Sequence, residues 1–179
     1  MKQLILGGVR SGKSRLAEKI ALSTDKPVTY IATARAMDSV NDDEMRDRIR
    51  SHQASRPSEW ALIEEPIRLG EVIKTQAKSD QCLLIDCLTL WMTNLLCADD
   101  ELLFRQEVDH LFTELEAAKG EIILVSNETG LGVVPMGELS RRFCDETGVL
   151  HQSVARICDR VIMTIAGLPQ VLKGEKIEF

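Results

Sequence analysis

Five short apolar segments, rich in Ile, Leu and Val, recur along the chain. Their apolar residues are nearly continuous and do not alternate with polar ones, which is typical of parallel strands covered on both faces. The predicted strands are Gln3–Leu6, Val28–Ala32, Cys82–Asp86, Glu121–Ser126 and Val161–Ala166.

The stretches between these strands have helical patterns. In one of them Val108, Leu111 and Leu115 fall on a single helical face. The predicted helices are Ser14–Ser23, Asp42–Ser55, Leu103–Lys119 and Gly148–Asp159. Strands that alternate with helices predict an α/β fold, a mostly parallel sheet with helices on both faces.

Two segments have no clear period and are predicted as loops. Arg56–Pro66 contains two prolines, and Asn127–Arg142 contains three glycines and one proline. Loops of this length in compact domains are often functional, and both follow elements whose C-terminal ends should lie near the ligand of an open parallel sheet. With 179 residues, no internal repeat and no long linker, the chain is predicted to form one catalytic domain over residues 1–179.

Charge and composition exclude several classes of protein. The net charge is −6 and the basic residues are scattered, so a nucleic-acid partner is not expected. No apolar run approaches the ~20 residues of a membrane span, and the N-terminus does not read as a signal peptide, so we expect a cytoplasmic protein. None of the five cysteines forms a C-x-x-C pair, which argues against a zinc site.

A phosphate-binding motif occupies the junction between the first predicted strand and the first predicted helix. The spacing is G-x-x-x-x-G-K-[ST], and the strand–loop–helix context is the one that a P-loop requires. The predicted nucleotide-binding residues are Gly7, Gly8, Val9, Arg10, Ser11, Gly12, Lys13 and Ser14. Lys13 is predicted to act in catalysis by reaching the β- and γ-phosphates, and Ser14 to bind Mg²⁺.

Asp86 ends an apolar predicted strand, as a Walker B aspartate does, and is the second candidate magnesium ligand. A helix cap or a surface carboxylate is the alternative interpretation. These motifs predict a P-loop NTPase of RecA-like type but name no reaction, because small-molecule kinases, GTPases and motors share them. The chain lacks the N-K-x-D pattern of guanine-specific GTPases.

His52 is the most informative of the three histidines. Together with Met45 and Ile49 it lies on one face of a predicted helix, so it should point inward or toward a cleft. Two roles stay open from the residues alone. One is a hydrogen-bonded histidine at the edge of the core, and the other is a nucleophile that attacks phosphorus and forms a covalent intermediate.

The motifs resemble those of the bifunctional adenosylcobinamide kinase and adenosylcobinamide-phosphate guanylyltransferase family of cobalamin biosynthesis. The spacings H-x-x-x-R-P-x-x-W and D-C-L-T-L-W are highly specific. The matching blocks are Gly7–Ser14, Tyr30–Ala34, Asp43–Met45, Arg48-Ile49 with His52, Arg56-Pro57 with Trp60, Glu64–Pro66, Asp86–Trp91 with Asn94–Leu96, Val125–Glu128 with Gly130, Gly132, Val134-Pro135, then Arg141, Phe143, Asp145, Gly148, Gln152 and Gly167–Pro169.

The resemblance implies two successive reactions. ATP or GTP would phosphorylate the hydroxyl of the aminopropanol arm of adenosylcobinamide. GTP would then transfer GMP to that phosphate through a guanylylated histidine at His52, giving adenosylcobinamide-GDP and pyrophosphate. It also implies Mg²⁺ as cofactor and a homotrimer.

The resemblance further assigns nucleotide-binding residues outside the P-loop. They are Thr33, Ala34, Arg35, Gln53, Ala54, Ser55, Arg56, Glu64 and Asp86. A guanidinium at Arg56 suits α-phosphate oxygens, and a carboxylate at Glu64 could accept hydrogen bonds from guanine, although a surface role for Glu64 is the alternative.

This sequence departs from the family pattern at two positions. Cys144 stands where an arginine is expected, which puts an anion contact there in doubt. His151 stands where asparagine is expected, and we expect it on a helix surface, with a second titratable group near the site as the alternative. Two other functions remain open: a small-molecule kinase in which His52 is structural, and a non-catalytic nucleotide switch or RecA-like motor subunit.

Overall fold

The architecture comes from a computed structural model, which describes residues 1–34 and 57–176. Strands and helices alternate through most of this part of the chain. In chain order the elements are β1 Lys2–Gly7, α1 Lys13–Leu22, β2 Val28–Ala32, β3 Ala61–Glu64, α2 Leu69–Gln76, β4 Cys82–Asp86, α3 Leu88–Cys97, α4 Glu101–Ala117, β5 Glu121–Asn127, α5 Glu138–Ile157, β6 Arg160–Ile165 and β7 Leu168–Lys173.

The described strands form one seven-stranded sheet in the order β3-β2-β4-β5-β1-β6-β7. All neighbouring strands are parallel except β6 and β7, which form an antiparallel edge pair. The predicted α/β fold with a mostly parallel sheet is therefore confirmed. All five predicted strands are present, and their ends differ from the prediction by at most one residue.

Side chains of the central strands alternate between two apolar layers. Leu4 of β1 packs in the layer that includes α2, α3, α4 and α5, whereas its neighbour Ile5 packs in the layer that includes α1. Leu83 and Leu84 of β4 divide in the same way. The central strand residues in both layers are almost completely buried. This explains why these strands carry continuous apolar runs.

Four of the elements in the described part of the chain were not predicted, namely β3, α2, α3 and β7. The loop prediction for Arg56–Pro66 is wrong over β3, which pairs with β2 in parallel. The loop prediction for Asn127–Arg142 is wrong at its end, because α5 begins at Glu138 and not at Gly148. Gly148 is tolerated inside α5. The predicted helix Asp42–Ser55 lies outside the described residues.

Three central strands bring the predicted motifs to one edge of the sheet. In register, Gly7 of β1 lies beside Asn127 of β5, and Asp86 of β4 lies beside Val125 of β5. The P-loop, the residues after β5 and Asp86 therefore meet at the carboxyl edge, where open α/β sheets bind ligands. Among the described residues, no helix combines the length and apolarity that a membrane span requires.

Candidate active site

The P-loop closes into a compact turn between β1 and α1. The N–H of Ser11 donates to the carbonyl oxygen of Gly8 at 3.2 Å, and Gly12 adopts a left-handed conformation with φ 97°. The turn between β6 and β7 supports the loop, since the N–H of Gly167 donates to the carbonyl oxygen of Ser11 at 2.8 Å. No side chain caps the start of α1, so its first N–H groups are available to phosphate oxygens.

Gly7 is required by a close approach that Gly8 does not experience. A Cβ atom at Gly7 would lie 2.4 Å from the Ser11 hydroxyl oxygen and 2.6 Å from the Thr164 carbonyl oxygen, whereas a Cβ at Gly8 would meet nothing within 4 Å. We therefore expect Gly7→Ala to lower the free energy of unfolding by about 1–3 kcal/mol, as overpacking does. Urea unfolding without nucleotide measures this, with Gly8→Ala as the matched control. Equal stability of the two variants would contradict the prediction.

Lys13 is almost completely buried at the start of α1. Its Nζ donates to the carbonyl oxygen of Gly8 at 3.1 Å, so the side chain folds back over the loop that it is predicted to serve. Burial lowers the pKa of Lys13, and the nearby carboxylate of Asp86 opposes that shift. The structure therefore places the predicted catalytic lysine and the predicted Walker B carboxylate within electrostatic reach of each other.

Asp86 is half-buried at the end of β4 and accepts a hydrogen bond from the Tyr30 hydroxyl at 3.2 Å. The alternative role of helix cap does not apply, because the N-cap residue of α3 is Cys87 and no side chain caps that helix. Asp86 is therefore a half-buried, oriented carboxylate beside the P-loop, which is more typical of a metal ligand than of a surface residue.

The residues predicted to hold Mg²⁺ have suitable chemistry for it. Ser14, in the first turn of α1, and Asp86 both offer hard oxygen atoms. The described residues include no cluster of three or more His, Cys, Asp or Glu side chains that could hold a metal. Mg²⁺ at phosphate-binding sites needs only one or two protein oxygens, since phosphates and waters complete its shell. The donor set therefore fits, and magnesium binding stays a prediction.

Thr33 lies beside Asp86, fully buried. Its hydroxyl donates to the carbonyl oxygen of Cys87 at 2.8 Å and accepts from the N–H of Cys87 at 3.1 Å. These contacts give Thr33 a structural role in the turn after β4. Nucleotide binding by Thr33 and by its half-buried neighbour Ala34 stays a prediction.

Glu64 ends β3 opposite Ala32 and is exposed at the same sheet edge. That position is compatible with guanine recognition and with a surface carboxylate. The remaining predicted site residues lie outside the described part of the chain: Arg35, His52, Gln53, Ala54, Ser55 and Arg56.

The expectation for His151 is wrong, because the side chain is buried and does not lie on a helix surface. Its Nε2 lies 2.7 Å from the Ser126 hydroxyl oxygen, and its Nδ1 lies 3.7 Å from Oε2 of Glu128. Burial lowers the pKa of His151, while the carboxylate of Glu128 acts in the opposite direction. Sequence reasoning gave Ser126 and Glu128 no role, although a polar residue after an apolar strand was the signal used for Asp86.

Cys144 lines a mainly apolar cavity of about 360 Å³ between α3 and α5. The lining residues also include Leu96, Leu139 and Phe143. The Sγ atom of Cys144 also lies 3.9 Å from the carbonyl oxygen of Thr129. The loss of an anion contact at this position stays a prediction.

The comparisons with known proteins agree on one family. The family model "Cobinamide kinase / cobinamide phosphate guanyltransferase" matches residues 3–172. The bifunctional adenosylcobalamin biosynthesis protein CobP of Pseudomonas aeruginosa is 54% identical, with 99% of this chain and 100% of the relative covered. The CobU proteins of Salmonella typhimurium and Escherichia coli are 35% and 32% identical, each over 97% of this chain and their full length.

Solved structures support the fold independently of sequence. The flagellar accessory protein FlaH of Methanocaldococcus jannaschii superposes with a TM-score of 0.53 at 18% identity, covering 97% of this chain and 78% of FlaH. The RadB recombinase gives a TM-score of 0.50 at 16% identity, with 90% and 73% covered. This likeness, at low sequence identity, shows a shared fold, and the predicted α/β fold with a mostly parallel sheet is confirmed. Because the family model matches nearly the whole chain and the relatives match along their full length, this chain belongs to the cobinamide kinase / cobinamide phosphate guanyltransferase family.

Proposed function

We propose that this chain catalyses both reactions of the family at the carboxyl edge of its sheet, as a single catalytic domain over residues 1–179. A nucleoside triphosphate, ATP or GTP, phosphorylates the hydroxyl of the aminopropanol arm of adenosylcobinamide. GTP then guanylylates His52, and the GMP passes to adenosylcobinamide phosphate, so that adenosylcobinamide-GDP and pyrophosphate are the products. The observation that carries the proposal is the convergence of a complete P-loop and Asp86 in a chain of this family.

The P-loop has the same task in both steps, which is to hold the β- and γ-phosphates of the bound nucleotide. Its N–H groups and the start of α1 bind oxygens of the β- and γ-phosphates. Lys13 moves from the carbonyl oxygen of Gly8 to those phosphates and balances the charge that develops on the leaving group. In the kinase step the leaving group is a nucleoside diphosphate, and in the guanylyl step it is pyrophosphate.

His52 supplies the chemistry that distinguishes this enzyme from a simple kinase. A neutral imidazole nitrogen attacks the α-phosphorus of GTP as the bond to the bridging oxygen of pyrophosphate breaks. Arg56, which directly follows the predicted helix Asp42–Ser55, is placed by sequence to bind α-phosphate oxygens. Glu64 accepts hydrogen bonds from guanine in this proposal, which favours GTP for the second step.

Product analysis tests the proposal directly. Purified protein is incubated with adenosylcobinamide, ATP, GTP and Mg²⁺, and the corrinoids are identified by mass spectrometry. Adenosylcobinamide phosphate and then adenosylcobinamide-GDP are expected. Formation of the phosphate alone, with no label retained on denatured protein from α-labelled GTP, would support the simple kinase. Absence of any new corrinoid, together with nucleotide-dependent assembly, would support the switch.

Magnesium is also part of this proposal. Ser14 and Asp86, which are assigned to nucleotide binding as well, would hold the ion. The ion would neutralise charge on the β- and γ-phosphates during transfer. Asp86 accepts a hydrogen bond from the Tyr30 hydroxyl, and its carboxylate also lies near Lys13.

We expect Asp86→Asn to raise the Mg²⁺ concentration needed for half-maximal kinase activity at least about tenfold, because an amide is a weaker ligand than a carboxylate. A magnesium titration of the kinase rate measures this. Asp80→Asn is the matched control, since Asp80 is exposed just before the opposite end of β4. An unchanged magnesium requirement in Asp86→Asn would remove Asp86 from the metal site.

We include the homotrimer in the proposal. The described loop before α5 exposes four large apolar side chains, which a subunit contact would cover. They are Leu131, Val133, Val134 and Met136. Light scattering tests this by distinguishing the 20.0 kDa chain from an assembly of three times that mass.

A further inference from the structure

One carboxylate at the carboxyl edge has no role in the function proposed above. Glu128 directly follows β5, and β5 lies between β1, which carries the P-loop, and β4, which carries Asp86. The N–H of Glu128 donates to the carbonyl oxygen of Gly7 at 3.0 Å, so its backbone is fixed to the first residue of the P-loop. Glu128 therefore begins its loop between the phosphate-binding loop and the predicted metal ligand.

The side chain of Glu128 is held on two sides and still reaches solvent. Oε1 accepts a hydrogen bond from the N–H of Gly130 at 2.6 Å, and Oε2 lies 3.7 Å from Nδ1 of His151. The exposed fraction of the side chain is 19%. A carboxylate that is oriented by its neighbours, yet open on one side, has the features of a proton acceptor.

His151 is well placed to orient this carboxylate. It is buried on α5, and Nε2 is 2.7 Å from the hydroxyl oxygen of Ser126, which is fully buried in β5. Because the carboxylate of Glu128 can only accept, the proton of a neutral His151 belongs on Nδ1, and Nε2 then accepts from the Ser126 hydroxyl. Since Ser126 is inaccessible, this Ser–His–Glu arrangement positions Glu128 and does not activate a serine nucleophile.

The other described polar groups near this position have different partners. Asn127 is bound through its N–H and its Nδ2 to the Thr89 hydroxyl at 3.2 Å. Oε1 of Glu65 accepts from the N–H groups of Ile67 and Arg68, before α2. Asp86 is assigned to the metal site. Glu64, also at this edge, is assigned to guanine. Glu128 is thus the carboxylate best placed for proton transfer among those described at this edge.

We propose that Glu128 is the general base of the kinase step and that His151 is its positioning residue, an inference that rests on the proposed function. The acceptor hydroxyl loses its proton to a carboxylate oxygen of Glu128 as its oxygen bonds to the γ-phosphorus. The bond between that phosphorus and the β–γ bridging oxygen breaks, and the nucleoside diphosphate leaves. The proton then passes from Glu128 to solvent at the exposed side of the carboxylate.

The two reactions of the enzyme need this base unequally. The acceptor of the kinase step is an alcohol, whose proton must be removed. The acceptor of the guanylyl step is a phosphate monoester, which is already ionised near pH 7, and the attacking imidazole of His52 is neutral. A residue with a purely structural role at this edge would affect both reactions together.

Glu128→Gln provides the test, because the amide keeps the shape and loses the basicity. We expect a fall of about 10²-fold or more in the single-turnover rate of adenosylcobinamide phosphorylation. Covalent labelling by α-labelled GTP, and GMP transfer to supplied adenosylcobinamide phosphate, should stay within a few-fold of wild type. Glu71→Gln, an exposed glutamate in the first turn of α2, is the matched control.

Each outcome separates this inference from the proposed function. If wild type phosphorylates adenosylcobinamide and Glu128→Gln does so at an undiminished rate, the assignment of Glu128 is overturned while the proposed function stands. If wild type makes no phosphorylated corrinoid, the proposed function itself fails. If both reactions of Glu128→Gln fall equally, Glu128 is structural. Should the Gln variant fold poorly, Glu128→Asp, which keeps a carboxylate, is compared with Glu128→Ala, which does not, and equal kinase rates in these two variants would likewise overturn the assignment.

His151 is tested by a pair of substitutions. We expect His151→Ala to lower the turnover number of the kinase step about tenfold, with little change in the KM for nucleotide, since Glu128 loses its oriented neighbour. His151→Asn retains a donor N–H toward Glu128 and should restore most of that loss. Equal kinase rates in the Ala and Asn variants would remove the positioning role from His151.

Discussion

Lys13→Ala is expected to lower the rate of phosphoryl transfer by a factor of about 10²–10³, the usual cost of deleting one group that stabilises transition-state charge. The side chain is nearly buried, and its ammonium lies over the P-loop at 3.1 Å from the carbonyl oxygen of Gly8. Alanine leaves the N–H groups of the loop intact, so nucleotide should still bind, with the larger loss in turnover. Steady-state kinetics of adenosylcobinamide phosphorylation measure both effects.

The same substitution should impair the guanylyl step, because Lys13 also faces the departing pyrophosphate in the proposed mechanism. Lys119→Ala is the control, since Lys119 is exposed just before β5 at the opposite edge of the sheet. Lys13→Ala activity within threefold of wild type would show that the lysine does not act on the transferred or leaving phosphates.

The second large effect is expected for His52→Asn, which should abolish covalent labelling by α-labelled GTP. Loss of a nucleophile costs about 10⁴-fold or more, because the carboxamide has no nitrogen that can attack phosphorus. The kinase step does not use His52 and should remain within a few-fold of wild type. Adenosylcobinamide phosphate would then accumulate when ATP, GTP and Mg²⁺ are all supplied, which chromatography of the corrinoid products shows.

A control histidine distinguishes loss of the nucleophile from general damage to the fold. His110 lies on α4, half-buried, 3.3 Å from a carboxylate oxygen of Glu114. His110→Asn should retain both reactions and the acid-labile label. Retained labelling in His52→Asn would mean that another residue carries GMP, whereas loss of both reactions in that variant would indicate a structural role for His52.

The accuracy of the strand predictions depends on how deeply each strand is buried. The strands that lie between two apolar layers were located within one residue, because burial on both faces leaves a continuous apolar run. The edge strands β3 and β7 were missed. Their side chains are largely exposed, so they lack that run, and they form through backbone hydrogen bonds to β2 and β6.

The missed helices have related explanations. α2 has only eight residues, too few to show a clear period, and it packs against α4 in the folded chain. α3 is apolar over much of its surface and was noticed for its D-C-L-T-L-W motif, not for its periodicity. Its Trp91 is fully buried and donates to the carbonyl oxygen of Ile67, a contact made across 24 residues of sequence.

The sequence alone was sufficient to predict nucleotide chemistry and to identify the family of this protein. A P-loop is contiguous, so eight residues predict both its conformation and its ligand, and the spacing of the histidine and D-C-L-T-L-W motifs identifies the family. The neighbours of His151 and Glu128, by contrast, could be known only from the folded chain. The two residues are 23 positions apart, too far for a helical or strand pattern to indicate a contact between them. They meet because β5 and α5 pack with Ser126 facing the helix, and the burial that results both orients the carboxylate and lowers the pKa of the histidine.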